Sequence, residues 1–196
     1  MKKRSARIKR KTSETNIDMN LNLDGTGSYA VKTSIPFIDH MISLFAKHGV
    51  FNCTVKAQGD TDIDDHHLVE DLGICLGRAV AQALGKKEKI SRYGNACVPM
   101  DETLAHAVID ISGRPYLVFD VRFKKSRKDS FDFELIEDFF RAVAFNAGMT
   151  VHLRMLYGRD NHHIAEALFK AFGVALSQAV AINPRRAGIP STKGRI

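Results

Sequence analysis

The feature of this 196-residue sequence that most constrains its fold is a pattern that occurs twice. Residues 65–70 read Asp-His-His-Leu-Val-Glu, and residues 161–166 read Asn-His-His-Ile-Ala-Glu. The second copy follows the first by 96 positions, from His66 to His162. Upstream, His40 falls opposite Asp138, 98 positions apart, and one small insertion reconciles the two offsets. Two such matches predict a duplicated half-domain.

The apolar pattern around the first motif predicts strands and helices in a definite order. Alternating apolar residues at 17, 19, 21 and 23 predict a strand that ends in the Gly-rich turn 24–27. From Pro36 the apolar spacing becomes helical and ends near Gly49. A short strand over 53–57 and a helix over about 65–84 follow, and Gly85 ends that helix.

The second half repeats this order. We expect strands near 105–111 and 116–123 with a turn at 112–115, a helix over 135–146, a strand over 150–157 and a helix over 162–180. The sequence therefore divides into a first half-domain (1–91), a second half-domain (92–182) and a C-terminal tail (183–196). The two halves are expected to form one integrated α+β domain, because a chain of 196 residues is long enough for one substantial hydrophobic core that both halves share.

The spacing within the motif predicts metal binding. Successive helix residues are about 100° apart, so His66 and Glu70 share a face whereas His67 points elsewhere. Each helix would then contribute to two different ions, and each ion would take His and Glu from one helix and the neighbouring His from the other. Imidazoles and carboxylates without a thiolate suit Mn, Fe, Co, Ni or Zn. The alternative is that each motif is the solvent-exposed first turn of a helix, whose histidines only cap the helix or form hydrogen bonds.

The charge distribution, the cysteines and the apolar runs bear on three further properties: nucleic-acid binding, disulfide bonding and membrane insertion. The net charge of +7 resides in residues 1–11, which hold seven basic side chains and no acid, so the remaining chain has 22 basic and 22 acidic side chains. That terminus is interpreted as a solvated tail or a charged first strand, with a nucleic-acid arm as the alternative.

Cys53, Cys75 and Cys97 lie in apolar stretches and are expected to be buried free thiols. The sequence contains neither a membrane-spanning apolar run nor a signal-peptide core, which favours a cytoplasmic protein.

Five sequence motifs resemble those of the imidazoleglycerol-phosphate dehydratase family. They are residues 21–27, 35–41, 65–71, 110–115 and 190–194, and they occur in order from about residue 5 to the C-terminus. The resemblance implies two α+β halves whose four helices lie between two four-stranded mixed sheets. It also implies a homo-oligomeric cage of 24 subunits, with active sites where subunits meet, and two Mn²⁺ ions per active site.

The resemblance assigns ligands to each ion. One ion is expected to bind the four side chains His40, His67, His162 and Glu166. The other is expected to bind His66, Glu70, His163 and Asp138. Many relatives have histidine where this chain has Asp138, and a carboxylate can still bind a hard ion such as Mn²⁺.

The resemblance also implies a substrate and a reaction. The substrate phosphate is expected to contact five side chains: His48, Arg92, Arg114, Ser191 and Lys193. The reaction is dehydration of imidazoleglycerol phosphate to imidazoleacetol phosphate in histidine biosynthesis, with the substrate imidazole held as imidazolate by the metals. Glu14 is the candidate acid/base, and Glu70 and Glu166 are ligands that could also transfer a proton.

Three other functions are compatible with parts of the sequence. A metal-dependent hydrolase would use the same ligands but release inorganic phosphate. A nucleic-acid-binding module would use the basic terminus and leave the duplicated motif unexplained. A structural cage would use its metals only to join subunits.

Overall fold

The computed structural model describes residues 4–125 and 131–196. The first half of the chain forms β1 (Ser5–Lys11), β2 (Thr15–Asn22), β3 (Tyr29–Lys32), α1 (Pro36–His48), β4 (Asn52–Gly59) and α2 (His66–Leu84). The second half forms β5 (Tyr93–Met100), β6 (Thr103–Asp110), β7 (Tyr116–Asp120), α3 (Leu135–Ala147), β8 (Thr150–Tyr157) and α4 (Asn161–Val180). The order of elements is the same in the two halves.

Each half builds one four-stranded mixed sheet with the same topology. The strand orders are β1-β2-β4-β3 and β5-β6-β8-β7. In each sheet the last strand of the half lies between two earlier ones, antiparallel to one and parallel to the other. The predicted duplication of an α+β half-domain is therefore confirmed.

The four helices pack between the two sheets. Helix α2 lies on β1 and β2, and α4 lies on β5 and β6, while α2 contacts α3 and α1 contacts α4. Phenylalanine side chains fill the middle of this helical layer, and the rings of Phe140 and Phe169 are 4.8 Å apart. The predicted sandwich of four helices between two sheets is confirmed.

Glycines allow the paired helices to approach closely. A Cβ added to Gly73 of α2 would lie 2.5 Å from the backbone oxygen of Phe139 in α3. A Cβ on Gly173 of α4 would lie 2.7 Å from the backbone oxygen of Phe45 in α1. Because neither backbone oxygen can move without its helix, these two glycines set the distance between the helices.

Acidic residues start the two helices that carry the repeated motif. The Asp64 carboxylate accepts a hydrogen bond from the backbone N–H of His66 at 2.8 Å. In the second half, the Asp160 carboxylate accepts from the N–H groups of His162 and His163 at 2.8 and 3.3 Å. These hydrogen bonds satisfy N–H groups that have no partner within the helix; Asp160 is the N-cap residue of α4, whereas Asp64 precedes the N-cap residue of α2, Asp65.

The basic N-terminus is a strand, as one of the two sequence interpretations predicted. Its arginines form ion pairs with carboxylates on other elements: Arg4 with Asp24, Arg7 with Asp18 and Arg10 with Asp71. Lys2 and Lys3 lie outside the described residues.

Two strands were not predicted, and one was predicted too long. Strand β3 is short and largely exposed, and β5 has small or apolar residues on both faces, so neither shows an alternation of apolar and polar residues in the sequence. Both lie at sheet edges. The predicted strand 116–123 ends at Asp120, where its pairing with Arg154 of β8 ends.

Two of the three cysteine predictions are confirmed and one is wrong. Cys53 and Cys75 are buried, and burial raises their thiol pKa values to about 12 and about 11. Cys97 is exposed, because on edge strand β5 it alternates with the buried Ala96 and lies on the outer face of the sheet. Among residues 4–125 and 131–196, no helix is both long and apolar enough to cross a membrane.

Candidate active site

Three of the predicted metal ligands converge at the start of α4. The Glu166 Oε1 atom lies 3.1 Å from His40 Nε2 and 3.0 Å from His162 Nε2. His162 and Glu166 are one helical turn apart on α4, and His40 comes from α1, which packs against it. In the described part of the chain, this is the one group of three His, Cys, Asp or Glu residues whose ligand atoms all lie within 4.8 Å.

The second oxygen of Glu166 contacts a lysine. Lys170 Nζ donates to Glu166 Oε2 at 2.6 Å, and the two side chains are only 13% and 10% exposed. Burial of the carboxyl alone would raise its pKa, but hydrogen bonds from Lys170 and His40 outweigh burial and lower it to about 2. Glu166 is therefore ionised at neutral pH, with Oε1 directed at the two imidazoles.

A second, looser group lies at the start of α2. His66 Nε2 is 3.7 Å from Glu70 Oε2, and His66 Nδ1 is 3.8 Å from Asp138 Oδ2. The two carboxylates thus flank opposite edges of one imidazole. A cavity of about 220 Å³ is lined by all three side chains.

The two groups occupy equivalent places in the repeat. Asp138 lies on α3, which packs against α2, and His40 lies on α1, which packs against α4. The alignment of His40 with Asp138 in the sequence is therefore matched by their places in the fold. Asp138 lies beside His66, in a cavity that Glu70 also lines.

The remaining motif histidine of α2 lies elsewhere. His67 Nδ1 is 3.1 Å from the Asp60 carboxylate, in the loop between β4 and α2. That hydrogen bond raises the pKa of His67. The rings of His66 and His67 are nearly perpendicular, at 85°, as the helical geometry predicts, so this chain does not place His67 in the group of His40, His162 and Glu166.

The remaining motif histidine of α4 has a similar partner. His163 Nδ1 lies 2.7 Å from Glu102 Oε2, in the turn between β5 and β6. This hydrogen bond raises the pKa of His163 and lowers that of Glu102. The structure thus brings together three of the four ligands predicted for one ion, His40, His162 and Glu166. For the other ion it places Glu70 and Asp138 at opposite edges of the His66 ring. The fourth predicted ligand of each ion is held apart on a carboxylate.

The donor chemistry of these groups fits a divalent transition metal. Each group combines carboxylate oxygens with nitrogens of imidazole rings, which can bind a metal when they are neutral, and no cysteine takes part. Three donors of this kind leave coordination positions for a further protein ligand and for substrate.

Two of the predicted phosphate-binding residues meet at Asp110. Arg92 donates through Nε and Nη2 to the two Asp110 oxygens at 2.7 and 3.2 Å, and through Nη1 to the Pro190 carbonyl at 2.9 Å. Arg114 Nη2 is 3.9 Å from Asp110 and its side chain is 70% exposed. Arg92 thus organises this region, while the guanidinium of Arg114 is accessible to an anion.

The C-terminal tail brings two more predicted residues to the same region. Pro190 contacts Arg92, and Ile196 lies against Gly113, next to Arg114. Ser191 and Lys193 lie between these two contacts along the tail.

His48 lies apart from that region, at the end of α1. Burial, followed by the nearby charge of Lys170, lowers its pKa. His48 is therefore neutral at physiological pH, and it belongs to the neighbourhood of Glu166 rather than to that of Arg92.

Glu14 lies in the turn between β1 and β2. Its carboxylate is exposed, and its neighbour Thr15 is buried and donates to Asp71 at 2.5 Å. Asp60, the partner of His67, donates its backbone N–H to the Glu14 carbonyl at 3.1 Å. The candidate acid/base therefore shares a corner of the molecule with His67.

Comparison with known proteins identifies the family of this chain. The family model described as imidazoleglycerol-phosphate dehydratase matches residues 33–176. The chain belongs to the imidazoleglycerol-phosphate dehydratase family. It is 56% identical to the imidazoleglycerol-phosphate dehydratase of Syntrophus aciditrophicus, over 97% of this chain and 98% of the relative. It is 53% identical to that of Acetivibrio thermocellus, over 98% and 99%.

Solved structures of imidazoleglycerol-phosphate dehydratases have the same fold. The crystal structure from Staphylococcus aureus superposes with a TM-score of 0.82 at 38% identity, covering 91% of this chain and 99% of the other. The IGPD of Pyrococcus furiosus superposes with a TM-score of 0.83 at 35% identity, covering 96% and 100%.

Three side chains around the family's motifs were not predicted from the sequence: Lys170, Asp60 and Glu102. Lys170 could have been found, because it lies four residues after Glu166 and therefore on the same face of α4. Asp60 and Glu102 lie in turns, and only the folded chain shows which histidine each one meets.

Proposed function

We propose that this chain dehydrates imidazoleglycerol phosphate to imidazoleacetol phosphate in histidine biosynthesis, in the cytoplasm, using two Mn²⁺ ions per active site. The observation that carries the proposal is the group of His40, His162 and Glu166, whose ligand atoms lie within 4.8 Å. Membership of the imidazoleglycerol-phosphate dehydratase family supplies the reaction and substrate.

The ligands of each ion come from more than one copy of the chain. His67 is the expected fourth ligand of the ion at His40, His162 and Glu166, but it is held by Asp60 in another part of the same chain. His163 stands in the same relation to the group at His66. Two incomplete groups and two outlying histidines in one chain are the arrangement expected of an oligomer with shared sites, and we infer a homo-oligomer of 24 subunits.

The metals supply one part of the chemistry. Bound by these residues, they would act as Lewis acids that hold the substrate imidazole as imidazolate, whose ring electrons would help to expel the neighbouring hydroxyl. The protein keeps the ligands in the required state. Glu166 is ionised because Lys170 and His40 lower its pKa, and the glycine contacts between helices fix its distance from His40.

Proton transfer is assigned to Glu14. Dehydration breaks the C–O bond beside the ring and removes a proton from the next carbon, and the resulting enol tautomerises to the ketone. Glu14 lies in the same corner as His67, so a site that takes His67 from this copy also takes its exposed carboxylate. Glu70 and Glu166 hold metal, and either could pass a proton to or from the substrate.

The substrate phosphate is assigned to the region around Arg114. Its guanidinium is exposed and can offer paired donors to phosphate oxygens. Ser191 and Lys193 lie on the tail between Pro190, whose carbonyl Arg92 holds, and Ile196, which lies against Gly113. His48, near Glu166, would reach the phosphate from the other side of the shared site.

The test is dehydratase activity with and without metal. The protein is stripped with a chelator, assayed for imidazoleacetol phosphate, and reassayed after addition of Mn²⁺, Zn²⁺ or Mg²⁺. We expect no ketone product from the stripped protein and full activity with Mn²⁺. Full activity without metal would contradict the proposal, and release of inorganic phosphate would indicate a hydrolase instead.

A further inference from the structure

The internal repeat places two glutamates at equivalent positions. Strands β2 and β6 are each eight residues long and follow a turn after an antiparallel partner. Each begins with a buried threonine, Thr15 or Thr103, and each threonine follows a glutamate, Glu14 or Glu102. Glu14 and Glu102 are therefore counterparts.

The two counterparts have different surroundings. Glu102 accepts the Nδ1 hydrogen of His163 at 2.7 Å, whereas the Glu14 side chain makes no hydrogen bond or ion pair within the described part of the chain. In the first half, Asp60 meets His67 instead. Asp60 follows Gly59, the strand partner of Thr15; the residue after the corresponding Gly158 is Arg159, which cannot accept a hydrogen bond.

We propose that Glu102 and Asp60 are positioning residues: Glu102 holds His163, and Asp60 holds His67, with Nε2 of each ring available to a metal ion. The two carboxylates come from positions that are not equivalent in the repeat. The inference rests on the proposed function. A carboxylate can only accept, so its contact with Nδ1 places the ring hydrogen there and leaves the Nε2 lone pair available when the ring is neutral. Because Asp60 does this in the first half, Glu14 is left without a histidine partner and can contact substrate.

The contacts of Glu102 make its glutamine variant informative. Oε1 accepts from the backbone N–H groups of Arg159 and Asp160 at 3.1 and 3.0 Å, and from the Thr103 hydroxyl at 3.1 Å. In Glu102→Gln these three donors hold the amide oxygen, so the NH₂ group faces Nδ1 of His163. The ring hydrogen must then move to Nε2, where it blocks metal binding.

Asp60 should behave differently. Among the described residues, its carboxylate makes hydrogen bonds only with Nδ1 of His67, at 3.3 and 3.1 Å to its two oxygens. An asparagine there can rotate so that its amide oxygen accepts from Nδ1 as the carboxylate does. Asp60→Asn is therefore expected to be mild and Asp60→Ala severe, the reverse of the order expected at Glu102.

The experiment is a Mn²⁺ titration of the metal-stripped full-length protein by calorimetry, with the melting temperature of each metal-free variant measured in parallel. We expect Glu102→Gln to weaken one of two Mn²⁺ sites about 10–100-fold, by at least as much as Glu102→Ala. The melting temperatures should follow the opposite order, because Gln keeps the backbone contacts and Ala loses them. Asp60→Ala should weaken the other site, Asp60→Asn should retain it, and Asp62→Asn, an exposed acid in the same loop, should match wild type.

Each result distinguishes the inference from the function on which it rests. A Glu102→Gln protein that binds Mn²⁺ like wild type, or affinities that follow the melting temperatures, would overturn the positioning role while the dehydratase proposal stands. Failure of the wild-type protein to bind Mn²⁺ would overturn both.

Discussion

Lys170 and Glu166 form an ion pair one helical turn apart on α4, with Nζ 2.6 Å from Oε2. The pair is nearly buried, and it leaves Oε1 of the glutamate to His40 and His162. Lys170 thus supplies the positive charge that keeps a buried carboxylate ionised when no metal is bound.

Removal of that charge should destabilise the metal-free protein. In Lys170→Met the Glu166 carboxylate loses its ammonium partner, and we expect the free energy of unfolding to fall by about 3 kcal/mol, since breaking a buried pair strands one charge. Mn²⁺ should restore part of the loss by replacing the missing charge. Lys170→Arg, which keeps a cation, is the control. Equal denaturant midpoints for Lys170→Met and wild type would contradict this account.

The pH dependence of stability should reverse on metal binding. The pKa values of His67 and His163 are raised by hydrogen bonds to Asp60 and Glu102. In metal-free protein the resulting stabilisation is present below the ordinary histidine pKa of about 6.5 and is lost as the pH rises through the raised values. Metal needs neutral imidazole, so stabilisation by Mn²⁺ should grow with pH.

Thermal melting of wild type and Glu102→Ala isolates this effect. Without metal, the difference in melting temperature between them should be larger near pH 6 than near pH 8.5. His163 is charged, and so forms an ion pair with Glu102, only at the lower pH. A difference that increases toward alkaline pH in metal-free protein would be inconsistent with the raised pKa.

Helix spacing should control both stability and metal binding. In Gly73→Ala the new methyl would lie 2.5 Å from the Phe139 carbonyl, which costs about 1–3 kcal/mol of overpacking against a gain of about 1 kcal/mol in helix propensity. We expect a lower melting temperature and weaker Mn²⁺ binding at His66 and Asp138, because α2 and α3 must separate. Gln82→Ala, on the exposed surface of α2, is the control. A Gly73→Ala protein more stable than wild type would show that the contact is not tight.

The two arginines near the tail should differ in their effects. Arg114→Ala removes an exposed guanidinium, so we expect KM for the substrate to rise about tenfold or more, given the strength of charge-assisted bonds to phosphate, with little change in melting temperature. Arg92→Ala also breaks the contacts with Asp110 and Pro190, so its melting temperature should fall as well. The account of phosphate binding would be wrong if Arg114→Ala left KM unchanged.

Much of the helical layer could be predicted from the sequence. The repeated motif located the starts of α2 and α4 within one residue, because its paired histidines lie in the first turn of each helix. The strand order could not be predicted, since β4 and β8 insert between earlier strands through contacts distant in sequence. Strands β3 and β5 were missed because β3 has only four residues and is largely exposed, while β5 has small or apolar residues on both faces, so the alternation of burial along it is not visible in the sequence.

The sequence predicted which residues form the candidate site, but not how most of them are arranged. The sequence indicated that His66 and Glu70 share a face, and that His67 does not. It could not show that Asp60 and Glu102 hold the outlying histidines, because each contact joins a turn to a helix. Comparison of Glu14-Thr15 with Glu102-Thr103 was the one available signal for Glu102. The division at residues 91 and 92 and the roles of individual site residues stay predictions.

Activity of mixed assemblies tests the central claim, that each metal site combines ligands from two copies of the chain. His67→Ala and His162→Ala should each be inactive alone, since each lacks a ligand of the same ion. After metal removal, mixing and addition of Mn²⁺, a site can take His40, His162 and Glu166 from the first variant and His67 from the second. We predict that dehydratase activity returns in the mixture. A mixture as inactive as its two parents would contradict the shared site.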